Sequence, residues 1–142
     1  MATILLRMPV DTEPKAVYES LVTSDGVNGW WSNHTQGPEG IRSIMKVAFP
    51  DAPMTFDFEV TEETPGERVA WNCLAGPPEW IGTDISFDIQ TDDQGNTSVL
   101  FSHGGWATAK ESFPFIAYSW AQILPRLKKL SESNERDPFF NY

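Results

Sequence analysis

Apolar residues fall at every second position in five successive runs between Met45 and His103. Met45, Val47 and Phe49 alternate with Ile44, Lys46 and Ala48, and Phe56, Phe58 and Val60 with Thr55, Asp57 and Glu59. Val69, Trp71 and Cys73 alternate with Arg68, Ala70 and Asn72, and Ile85, Phe87 and Ile89 with Asp84, Ser86 and Asp88. Val99, Phe101 and His103 alternate with Leu100 and Ser102. A period of two places alternate side chains on opposite faces of a strand, so each run predicts a strand with one buried and one wet face. Turn signals separate the runs: Pro50-Asp51-Ala52-Pro53, Pro65-Gly66, Gly76-Pro77-Pro78 and Asp92-Asp93-Gln94-Gly95-Asn96. The pattern is that of an antiparallel meander.

The flanks change period. Residues 3–8 alternate, with Ile4, Leu6 and Met8 inward, and predict a first strand. Val17, Tyr18, Leu21 and Val22 form one apolar helical face behind Asp11 or Thr12 as cap, and Ser24 caps a second short helix toward Trp31. From about Phe113 to Ser131, Ile116, Trp120, Ile123, Leu124, Leu127 and Leu130 make one stripe at helical spacing; Pro125 is expected to kink this helix. A sheet with one apolar face and a single helix large enough to cover it predicts an α+β helix-grip fold. About seven curved antiparallel strands would wrap a long C-terminal helix. At 142 residues the chain fits one domain, 1–142. The aromatic tail, 133–142, either docks on the body or enters an interface.

Charge narrows the partners. Twenty acids stand against ten bases, and residues 50–96 hold eleven of those acids with Arg68 as their only base. Nucleic acid and an anionic membrane both require a basic surface, so neither is expected as a partner. No run approaches the length of a membrane span, and MATILLRMPV is interrupted by Arg7 and Pro9, so no membrane insertion and a cytoplasmic location are expected. Cys73 is the only cysteine, which excludes an internal disulfide. No nucleotide loop, nucleophile elbow or zinc motif is present, and no cofactor or metal is expected.

Several motifs occur together in order: Val17-Tyr18 followed by Trp30-Trp31, Phe58-Glu59-Val60, Pro65-Gly66-Glu67-Arg68-Val69 with Trp71, Glu79-Trp80-Ile81-Gly82-Thr83, Phe101-Ser102-His103-Gly104-Gly105-Trp106, and Ser119-Trp120 with Leu124, Leu127 and Lys128. Over residues 3–132 they resemble the START-like (SRPBCC, birch-pollen-allergen-like) superfamily. Within it they resemble the subfamily named for the ATPase activator of the ninety-kilodalton heat-shock chaperone. The resemblance implies a deep, mostly apolar cavity between sheet and C-terminal helix. The activities it implies range over lipid or small-molecule binding, polyketide cyclisation and partner contacts.

Function therefore rests on the site. The candidate ligand-binding residues are Trp30, Trp31, Phe56, Phe58, Trp71, Phe87, Phe101, His103 and Trp120, flat apolar walls with one titratable group. His103 has two readings: a ligand contact or general acid/base, and a histidine satisfied by a backbone carbonyl at the mouth of the sheet. Trp120 reads as core or wall, Cys73 as a small core residue, and Glu79 with Asp84 as a carboxylate pair weakened by the outward parity of Asp84. The leading expectation is a binder of a small apolar or aromatic, lipid- or polyketide-like molecule. The alternatives are a cyclase, dehydratase or hydrolase using His103, and a module regulating a chaperone ATPase. The two-domain activators carry an N-terminal domain that this sequence does not show, which counts against the chaperone contact. A homodimer is compatible with every reading.

Overall fold

The computed structural model describes residues 1–142. Its strands are β1 (Ala2–Val10), β2 (Thr35–Gln36), β3 (Ile44–Val47), β4 (Phe56–Thr64), β5 (Arg68–Ala75), β6 (Asp84–Thr91) and β7 (Thr97–Trp106). Its helices are α1 (Pro14–Glu19), α2 (Ser24–Asn28) and α3 (Phe113–Ser133). All seven strands form one antiparallel sheet in the order β1-β7-β6-β5-β4-β3-β2. The helix-grip fold expected from the sequence is the one adopted, and β2 is the strand that periodicity missed. Two residues, Thr35 opposite Val47 and Gln36 opposite Lys46, are too short to show a period.

The period-two runs bury most of the side chains they predict; Phe49 lies past the end of β3 and is half-buried, and Ala70 and Ser86, expected on the wet face, are buried as well. Phe58, Val60, Val69, Trp71, Cys73, Ile85, Phe87, Val99, Phe101 and His103 are all buried. Register brings Phe87 opposite Phe101, Val69 opposite Phe87, and Phe58 opposite Cys73. Register shifts at Asp57/Phe58 and Val60/Glu62 bend β4, and such bulges are what curl a sheet around a helix. The helix it grips, α3, contributes Trp120, Ile123, Leu124, Leu127 and Leu130 to the core. α3 runs unbroken through Pro125. Pro125 and Ala121, whose carbonyl the ring leaves without its helical donor, both lie on the exposed side of the helix.

Two helix caps differ from expectation. The N-cap of α1 is Glu13, with no side-chain bond, and that of α2 is Thr23, whose hydroxyl accepts from Gly26 N–H at 2.9 Å. On the wet face, the acidic stretch is partly paired. Lys46 meets Asp57, its register partner across β3 and β4, at 2.9 Å, and Arg68 bridges Glu62 at 2.9 Å and Asp88 at 2.7 Å. Half-exposed pairs of this kind contribute about 0–1 kcal/mol each, so they organise charge more than they hold the fold. No helix is long and apolar enough to cross a membrane.

Candidate functional site

The open end of the grip is built where the turn after β3 and the β5–β6 loop meet the N-terminal half of α3. The turn after β3 supplies Phe49, Pro50, Asp51 and Ala52. The β5–β6 loop supplies Pro77 and Trp80, and α3 supplies Phe115, Ile116, Ser119, Trp120 and Ile123. Trp31, Phe56 and Phe140 complete a cavity of about 380 Å³. The wall is mostly ring and aliphatic surface; its polar side chains are Asp51, Ser112 and Ser119.

The β5–β6 loop is held by its own turns. Trp80 N–H donates to Pro77 O at 2.9 Å, and the Thr83 hydroxyl donates back to Trp80 O at 2.6 Å. Gly82, at φ +87°, takes the left-handed conformation that closes this turn. Glu79 then ties the loop to α3: its Oε2 accepts from Ser112 Oγ at 2.6 Å and from Ser112 N at 3.3 Å. A carboxylate beside a helix N-terminus also meets the positive end of the helix dipole. Asp84 instead accepts from Asn72 at 2.8 Å, so Glu79 and Asp84 serve different elements.

Trp31 is the floor. It stacks between Trp30 (5.9 Å, 13°) and Trp71 (6.1 Å, 3°), and it also packs on Trp120 at 5.1 Å and on Phe49 and Phe58 at 5.6 Å each. Below it Phe87 meets Trp71 at 5.2 Å and Phe101 at 5.3 Å, and Phe101 meets Trp120 at 4.6 Å. These rings fill the deep space between sheet and helix. What remains open lies at the mouth, so the deep cavity implied by the resemblance is here a shallower one. Of the nine candidate residues, Trp31, Phe56 and Trp120 line it, while Trp30, Phe58, Trp71, Phe87, Phe101 and His103 lie beneath it.

His103 is fully buried, with Trp80, Trp106 and Trp120 around its ring. Trp120 Nε1–H can only donate, so His103 Nδ1, 3.0 Å away, must accept and is unprotonated. The proton therefore sits on Nε2, which donates to Thr83 Oγ1 at 2.9 Å. Burial pushes the pKa of this imidazole down to about 3. The ring is neutral, satisfied on both nitrogens by side chains, and does not reach the cavity. Burial also pushes the Cys73 thiol up to about 11, which keeps it protonated. No group of three His, Cys, Asp or Glu side chains is placed to hold a metal ion.

Sequence reasoning missed Trp80, Trp106 and the tail as parts of this end. Trp80 lies in a turn, where parity says nothing. Trp106 would point outward by parity. A β-bulge, with Gly105 at φ +86° and the β1 register shifting between Ala2 and Ile4, turns it inward instead. Gly104-Gly105 inside a strand pattern was the available signal. The tail lies along residues 29–33: Asp137, Phe139 and Phe140 N–H donate to the carbonyls of Gly29, Trp30 and Trp31, and Asn33 N–H donates to Phe140 O.

No protein-family model and no curated protein sequence matches the chain. Solved structures do. The Aha1 dimer from Colwellia psychrerythraea superposes with a TM-score of 0.83 at 32% identity, covering 94% of this chain and 98% of that one. MLL2253 from Mesorhizobium loti has a TM-score of 0.76 at 14% identity, covering 91% and 96%. DynU16, from the dynemicin biosynthetic locus, has a TM-score of 0.79 at 17% identity and covers 99% of this chain, which spans about half of DynU16. The two more distant proteins show the shared fold alone. With ordered motifs, a helix-grip sheet and a full-length match to a Colwellia protein at 32% identity, the chain belongs to the Aha1-like branch of the START-like (SRPBCC) superfamily.

Proposed function

We propose that the protein binds a small apolar or aromatic molecule in the cavity at the mouth of the grip. The observation that carries this reading is an aromatic-walled space of about 380 Å³ with only three polar side chains on its wall. That volume lies within the range of small-molecule sites, and such a wall gains by taking apolar surface out of water. Catalysis has little to work with here: His103 spends both ring nitrogens below the cavity, and no second titratable group faces it there.

The test uses a neutral apolar fluorophore, N-phenyl-1-naphthylamine, alongside native mass spectrometry for a co-purifying molecule. Ile116 is half-buried on the cavity wall, so Ile116→Trp would place a larger ring in the space. It is expected to weaken the dye at least tenfold, about 1.4 kcal/mol. Tyr118→Ala, on the exposed side of the same helix, should leave the affinity unchanged. Equal affinity for Ile116→Trp and the parent protein would overturn the reading.

A homodimer is part of the same reading, supported by the dimeric Colwellia relative. Light scattering behind size exclusion is expected to give twice the 15.9 kDa chain mass; the chain mass itself, held up to high concentration, would remove this part.

A further inference from the structure

The three polar side chains on the cavity wall have no hydrogen to offer a guest. Ser112 Oγ donates to Glu79 Oε2 at 2.6 Å, Ser119 Oγ donates to Phe115 O at 3.0 Å, and the Asp51 carboxylate only accepts. The tryptophans of the wall differ. We infer that the indole N–H groups of Trp31 and Trp80 are the hydrogen-bond donors of the cavity, and that they select a neutral apolar molecule carrying a carbonyl-type oxygen. The inference rests on the ligand reading above and adds to it the chemistry of the guest's polar end.

The tryptophans sort by what each indole N–H meets. Trp30 donates to Ser20 O at 2.9 Å, Trp106 to His103 O at 3.1 Å and Trp120 to His103 Nδ1 at 3.0 Å, so these three are spent inside the fold. Trp71 Nε1 is sealed in and has no acceptor. Trp31 and Trp80 find no acceptor in the protein either, yet their Nε1 atoms are not sealed in. Trp31 is 1% exposed and Trp80 7%, so each ring leaves only a small area open, and both rings border the cavity.

Both donors are held in place. Trp31 lies between Trp30 and Trp71, and Trp80 meets Phe56 at 5.0 Å and His103 at 4.9 Å. A donor on a fixed ring loses little freedom when it finds its partner. A hydrocarbon guest that covers these N–H groups desolvates them and returns nothing, whereas a guest with a well-placed acceptor oxygen replaces the bonds made to water. Charge limits the kind of acceptor. A carboxylate would also accept, but Asp51 is the only charged side chain on the wall and no base lines it. Glu79, bonded to Ser112, adds a second acid at the rim. A ketone, quinone or ester oxygen meets both conditions.

The test compares 2-acetylnaphthalene with 2-ethylnaphthalene, which have nearly the same shape and differ in the oxygen. Titrated into isotopically labelled protein, both are expected to move indole resonances through their ring currents. Only the ketone should carry the Trp31 or Trp80 indole proton further downfield, as a new hydrogen bond does. The indole protons of Trp30, Trp106 and Trp120 should respond alike to the two probes. Trp31→Phe and Trp80→Phe assign the resonances and remove one donor each while keeping a ring; far-UV circular dichroism checks their fold. At least one of them is expected to weaken the ketone about fivefold more than the hydrocarbon. Asp51→Asn should improve 2-naphthoate about threefold relative to the ketone at low salt; an unchanged ratio would remove the preference for a neutral guest. If the two probes shift every indole proton alike and both Phe variants weaken them equally, the donor assignment is overturned while the ligand reading stands. If neither probe binds, the ligand reading falls and takes the donors with it.

Discussion

Acidification from pH 6.5 toward pH 3 is expected to destabilise the fold through His103. The sign follows from where the proton can go. In the folded chain Nδ1 faces the Trp120 indole N–H at 3.0 Å, and a proton there would set two donors against each other. Burial holds the folded pKa at about 3, well below the ordinary imidazole value of 6.5. Above about pH 6.5 both states hold a neutral ring and pH has no effect through this group. Below that, only the unfolded chain takes up the proton, and each unit lowers stability by about 1.4 kcal/mol. The loss levels off near pH 3 at roughly 5 kcal/mol. His103→Gln isolates this contribution. It keeps an N–H for Thr83 but leaves Trp120 Nε1 without its acceptor, at a cost of about 2 kcal/mol near neutrality. Urea titrations at a series of pH values should show the variant less stable at pH 8 and the two curves meeting near about pH 5. Parallel curves would show that His103 carries no such linkage.

His103 also shows what a sequence can and cannot reveal about a site. Parity placed it on the inner face, and it is there, because the alternation of β7 holds as far as residue 103. Its chemistry depends on two partners distant in sequence, Thr83 in a loop and Trp120 on α3, that no local pattern brings together. The aromatic candidates divide in the same way. Periodicity shows which side of the sheet a ring faces, so Phe58, Trp71, Phe87 and Phe101 were all legible as inward. Whether an inward ring lines a space or fills it depends on the rings opposite. Here Trp30, Trp31 and Trp120 arrive from loop and helix to fill the deep part and leave the mouth open. The mouth is built mostly from turns, where periodicity carries no signal, and this is why Trp80, Phe140 and the Glu79–Ser112 clamp escaped notice.

Trp31→Ala is expected to cost the most stability of any single truncation on the cavity wall, about 3–5 kcal/mol. Trp31 is 1% exposed and meets five aromatic partners, of which two sandwich it and three meet it at a tilt. Each such pair contributes about 0.5–1.5 kcal/mol beyond the apolar area it buries. The neighbours cannot close the gap, because they belong to different elements whose positions are set elsewhere: Phe58 and Trp71 by sheet register, Trp120 by the bond to His103. Phe115→Ala, on the same wall but 67% exposed, should change stability by less than about 0.5 kcal/mol. Trp31→Phe keeps a ring between Trp30 and Trp71 and should recover more than half of the loss. Urea midpoints for the three variants decide the matter, and a loss below about 1 kcal/mol for Trp31→Ala would mean that the core can repack without it.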